Sequence, residues 1–191
     1  MYDFLERLEW SKGTRLESDA LTIMSMLDGC ISVVEAPVEL DKKGVDYIAT
    51  LRRGAEVYID IKTRTTGCSM YWGNVPEVAI ELWSVRPSLG NKKKIGWTLD
   101  EAKITDMIFY VWDPEDTPEA YLIPFQSLRV AARRNIMKWL NTYKVDIQNS
   151  GSWESEAVFV PVDVVLDEVV NAMILPSPPL AGCSQPGSGG G

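Results

Sequence analysis

Apolar and polar positions alternate most clearly across Gly44–Thr50 and Glu56–Thr63, two runs separated by the polar stretch Arg52-Arg53-Gly54-Ala55. A period of two puts successive side chains on opposite faces of a strand, and a glycine-containing turn between two such runs predicts an antiparallel hairpin. In the second run Ile59 and Ile61 fall on one face, toward a core, and Asp60 and Lys62 on the other. Closing the hairpin brings Asp46 back beside them. Further strands are predicted at Val78–Val85, Asp106–Trp112, Ala120–Phe125 and Val158–Pro161. Spacings of three and four residues predict helices instead over Tyr2–Leu27, broken at Lys12-Gly13 and ending at Asp28-Gly29. The same spacing recurs in Gln126–Tyr143, where Leu128, Ala131, Ala132, Ile136, Trp139 and Leu140 form the apolar side. A last helix, Pro161–Met173, turns Val164, Val165, Val169, Val170 and Met173 inward.

This order of elements predicts a single α/β domain over residues 1–175. Beyond Pro176 the chain becomes Pro-, Gly- and Ser-rich, and 176–191 is expected to be a disordered tail. With 191 residues and 46% hydrophobic side chains the domain can fill a sizeable core. No apolar run is long enough to cross a bilayer and the first residues lack a basic signal region, which predicts a cytoplasmic protein away from membranes. Cys30, Cys68 and Cys183 are scattered, form no CxxC pair and suit a reducing compartment.

The chain has no histidine. That removes Ser-His-Asp triads, HExxH metalloproteases and histidine-dependent nucleases together, and the missing GxxxxGK[ST] removes P-loop NTPases. What is left is carboxylate and lysine chemistry. Two acids at one place suit Mg²⁺ (or Mn²⁺), a hard cation that takes oxygen ligands and retains several waters. Asp46, Asp60 and the backbone carbonyl of Ile61 would supply those oxygens, and Lys62 would either hold the attacking water or offset charge on a scissile phosphate. The plain alternative is an Asp–Lys ion pair on a solvated hairpin face.

Asp46 followed by Asp60-Ile61-Lys62 resembles the motif of the PD-(D/E)xK nuclease superfamily, which includes restriction enzymes, resolvases and phage exonucleases. The likeness spans roughly Thr14 to Val111, and Val45 stands where the motif carries proline. It implies a restriction-endonuclease-like core, a central mixed sheet of about five strands flanked by helices. It also implies a Mg²⁺-dependent deoxyribonuclease acting in phage or bacterial DNA processing, with Asp46, Asp60 and Lys62 catalytic. An acid on the preceding helix is a further metal ligand in many relatives, and Glu17 resembles it; an exposed helix acid is the alternative. The resemblance leaves endo- or exonucleolytic action and a homodimer open.

A net charge of −8 opposes general adhesion to DNA, so the basic residues must be concentrated if the chain binds it. Arg64, the Lys92-Lys93-Lys94 run before Trp97, and Arg129, Arg133 and Arg134 on one helix flank are the residues available for phosphate contact. A solvated loop with a core tryptophan, and a solvated helix face, are the alternatives. Glu81 would join the acids if its strand lay beside the hairpin. A second reading of the whole is an inactive protein of the same fold, whose acidic surface docks a basic partner as an inhibitor or assembly factor.

Overall fold

The computed structural model describes residues 16–64, 75–87, 93–112, 119–149 and 154–174, with the side chains of 16 and 17 excepted. The first part of the predicted N-terminal helix, Lys92 and the 176–191 tail lie outside these residues.

Helix α1 (Leu16–Met26) is followed by strand β1 (Cys30–Glu35), the short helix α2 (Val38–Asp41), β2 (Tyr47–Leu51) and β3 (Glu56–Arg64). Next come β4 (Glu77–Val85), β5 (Lys94–Ile95), β6 (Met107–Trp112) and β7 (Glu119–Pro124). Helix α3 (Phe125–Thr142), strands β8 (Lys144–Asn149) and β9 (Glu154–Pro161), and helix α4 (Val162–Ile174) complete the order. The described residues are thus α/β, with two sheets.

One sheet has five strands in the order β1-β2-β3-β6-β7. It is mixed: β3 and β6 run parallel, and every other neighbouring pair is antiparallel. The predicted hairpin is β2–β3, paired from Tyr47 opposite Ile59 to Thr50 opposite Glu56. Its turn closes through Leu51 N–H to Ala55 O and Gly54 N–H to Leu51 O, both 2.8 Å. Gly54 takes φ +77°, a left-handed conformation that glycine adopts without steric cost. Asp106 ties β6 to β3, accepting the Tyr58 N–H on its carboxylate and donating its own N–H to Tyr58 O, each at 2.8 Å.

The two faces of this sheet bury different cores. Ile59, Tyr47, Ala49 and Phe109 pack with Ile23 of α1 on one side. On the other, Ile108, Tyr110, Trp112 and Ile123 share a core with the second sheet and with α3 and α4. That second sheet is antiparallel, ordered β5-β4-β9-β8. Tyr110 joins the sheets, its hydroxyl accepting the Ala79 N–H of β4 at 2.9 Å.

Strand β4, whose place relative to the hairpin the sequence leaves open, lies in the second sheet, paired with β9 and β5. Two expectations need correction. Lys94–Ile95, expected in a loop, pairs with β4, because the ladder supplies backbone partners that a loop would leave to water. In α4 the buried residues are Val162, Val165 and Val169, whereas Val170 and Met173 are exposed. A helix that starts at Val162 turns the 162, 165, 169 stripe inward and carries the other two outward.

Candidate functional site

Asp60 lies at mid-strand on the second face of β3, 2% exposed. Burying a carboxylate is costly unless charged or hydrogen-bonded partners compensate. Two ammonium groups do so. Lys62 Nζ pairs with Oδ1, as the i, i+2 spacing along a strand predicts, and Lys103 Nζ lies 3.1 Å from Oδ2. Lys62 Nζ also donates to Ile61 O at 3.1 Å and sits 5.3 Å from the centre of the Trp97 ring, a cation–π contact that fixes its direction.

Asp46 stands one residue before β2 and brackets Asp60. Its N–H donates to Ile59 O at 2.8 Å, and its carboxylate Oδ2 accepts the Ile61 N–H at 2.7 Å. Its carbonyl is turned the other way and accepts from Ala36 N–H at 2.8 Å. Burial, and next the Asp60 charge, push the Asp46 carboxyl up from 3.8 to about 6, against the opposing pull of the Ile61 N–H and Lys62. A buried acid perturbed by a neighbouring carboxylate is common at sites that do chemistry.

Asp46, Asp60 and Lys62 therefore come together, with Ile61 O beside them. Asp46, Asp60 and Ile61 O are hard oxygen donors, the ligand type that could hold a Mg²⁺-sized cation completing its shell with water, although both Asp60 oxygens carry ammonium partners here. Among the described residues no group of three or more His, Cys, Asp and Glu side chains converges. Glu17 belongs to α1, but its side chain lies outside the described residues. Glu81 does not join the acids. Its Oε2 accepts the Trp97 N–H and the Ser84 hydroxyl, each at 2.8 Å, within the second sheet.

The basic residues divide. Arg64 follows Lys62 on the same face but is committed to the buried Glu77 at 2.6 Å and stacks over Phe159, 4.4 Å from the ring centre. Burial raises Glu77 from 4.5 to about 7, even though Arg64 pulls in the opposite sense. Arg129 is buried, donates to Asp100 O at 2.7 Å and to Gln126 Oε1 at 3.2 Å, and lies over Phe125. Arg133 pairs with Glu101 at 2.5 Å on the surface, and Arg134 is exposed. Lys93 and Lys94 are exposed. Trp97 stacks on Phe125 with ring centres 6.1 Å apart, so one of its faces is covered by a core residue.

Lys103 is the site residue that sequence reasoning missed. It lies in the loop entering β6 and reaches Asp60 because β6 runs parallel beside β3, with Asp60 opposite Ile108. Gly44 makes room for it. With φ +85° and no side chain, Gly44 leaves open the space that the Lys103 ammonium occupies. The loop is held there by Thr105, whose hydroxyl donates to Gly44 O, and by Ile104 N–H to Lys43 O at 3.3 Å.

No family model matches the chain, and no curated protein or solved structure is significantly similar to it.

Proposed function

We propose that this protein is a divalent-metal-dependent deoxyribonuclease with a restriction-endonuclease-like core. The observation that carries the reading is the convergence of Asp46, Asp60 and Lys62 at the hairpin, two acids and an amine on the one face where Asp60 is nearly inaccessible. A half-buried acid whose proton affinity is raised by burial and by a neighbouring carboxylate is an expensive way to stabilise a hairpin. It suits a site that meets a cation and an anionic substrate.

Asp46, Asp60 and Ile61 O would hold Mg²⁺ or Mn²⁺, which when bound supplies Lewis acidity toward water and phosphate oxygens. The chain's own groups do the remaining work. Lys62, aimed by Ile61 O and the Trp97 ring, is positioned to donate to a phosphate oxygen or to the incoming water. The Ile61 N–H fixes the Asp46 carboxylate, so it needs no large reorientation to meet a cation. Lys103 adds a second positive charge at the same carboxylate.

A second reading is favoured by one feature. Both Asp60 oxygens already carry an ammonium partner, which is the closed ion-pair arrangement expected of an inactive relative that binds proteins. Incubation with end-labelled single-stranded, duplex and branched DNA separates the two. The nuclease reading predicts products with Mg²⁺ or Mn²⁺ and none with EDTA; intact substrates under every condition would leave the binding module.

A further inference from the structure

Next to the acid pair the surface opens into a concavity of about 350 Å³. Three segments build it: the loop after α2, the β4–β5 pair with the turn behind it, and the loop entering β6. Lys42, Lys43, Lys94 and Lys103 line it, against two acids, Asp41 and Asp100. Of these, the Asp100 carboxylate accepts the Ala102 N–H at 3.0 Å. Among the described residues no ion pair within 4 Å holds Lys42, Lys43 or Lys94.

A chain with a net charge of −8 has thus gathered four ammonium groups around one depression. Like charges brought together repel, and the arrangement is relieved by an anion. Lysine serves as a point charge for phosphate, where arginine would give a planar fork. The volume lies at the small end of the range for ligand pockets, roughly 300–1,000 Å³, which admits one nucleotide and not a duplex. Lys103 belongs to both places, lining the concavity while its Nζ stays 3.1 Å from Asp60 Oδ2.

We propose that this concavity binds the phosphate of a single nucleotide, with Lys42, Lys43 and Lys94 as its outer contacts and Lys103 as the contact shared with the acid pair. Phosphate binding stands on the concavity alone. That the phosphate belongs to the nucleotide adjoining the scissile bond of a strand rests on the nuclease reading; the other source is a free nucleoside monophosphate.

The test is calorimetric titration of the full chain in EDTA with deoxyadenosine 5′-monophosphate, inorganic phosphate and deoxyadenosine. The two phosphate-bearing probes are expected to bind and the nucleoside is not. Replacing Lys42 and Lys94 together by Met, both exposed and outside the core, should weaken the nucleotide at least tenfold, whereas Lys138→Met should leave it unchanged. Binding of the nucleoside as tightly as the nucleotide, no saturable binding of either phosphate probe, or an unaltered affinity in the double variant would overturn the proposal. Competition then identifies the source. Displacement of a single-stranded oligonucleotide by the mononucleotide supports the strand, and independent binding supports the free nucleotide. Nucleotide binding without cleavage of any DNA keeps the pocket and removes the nuclease; cleavage indifferent to both lysines, with no phosphate bound, does the reverse.

Discussion

Replacing Asp46 by asparagine is expected to stabilise the metal-free protein, and by an amount that depends on pH. Burial and the neighbouring Asp60 raise the Asp46 carboxyl from 3.8 to about 6. Between those values the folded chain binds a proton that the unfolded chain has released, so stability falls as pH rises through that window and is level above it. At about 1.36 kcal/mol for each pH unit, the rise from 3.8 to about 6 corresponds to ~3 kcal/mol of lost stability at neutral pH and above. Asparagine keeps a carbonyl oxygen for the Ile61 N–H and offers Asp60 an amide donor in place of a charge. Urea unfolding in EDTA of both proteins from about pH 4 to about pH 8 should show a difference near zero at the acid end, growing to ~3 kcal/mol at the other. A variant less stable than the wild type at pH 8, or a difference that ignores pH, would refute the strain on Asp46 from burial and from Asp60 on which the site argument stands.

Lys62→Ala should lower the cleavage rate by about 10²-fold with little change in strand binding, as for a contact made mainly in the transition state; near wild-type cleavage would make Lys62 a mere partner of Asp60. Glu77→Ala removes the buried carboxylate partner of Arg64 and should cost about 3 kcal/mol by urea unfolding; an unchanged midpoint would show that the pair contributes little net stability. Gly44→Ala forces a side chain into a φ of +85° at a cost of about 1–2 kcal/mol and sets its Cβ against the Lys103 ammonium. Lower stability together with weaker nucleotide binding is expected, and a silent substitution would mean that Lys103 is not held at Asp60.

The hairpin was legible because its signal is local. Alternation fixed the faces of Ile59, Asp60, Ile61 and Lys62, and the Gly54 turn fixed the return of Asp46. Helix α3 was legible for the same reason, its Leu128, Ala131, Ala132 and Trp139 all being buried. Strand β8 also alternates, Val145 and Ile147 between polar residues, but a run that short beside a helix end does not mark a strand by itself. Strand β1 was missed because Ile31 and Val34 are exposed on a sheet edge, so its apolar positions do not alternate with burial. Partner choice between strands is not a local property, so the pattern of Val78–Val85 does not say whether β4 lies beside the hairpin or, as it does, in a second sheet. Lys103 was invisible on the same grounds. Nothing in Ala102-Lys103-Ile104 marks it, and only the parallel β3–β6 pairing brings it to Asp60. Arg64 and Arg129, read as surface cations, have buried intramolecular partners that no one-dimensional pattern announces.

The claim that most of this depends on is that Asp46 and Asp60 share one divalent cation although two lysines already accompany them. Calorimetric titration with Mn²⁺ at neutral pH tests it directly, using the wild type, Asp46→Asn and Asp60→Asn, each first confirmed to unfold in one transition. The account predicts one saturable site in the wild type that both substitutions abolish. An equal Mn²⁺ affinity in all three proteins would contradict it.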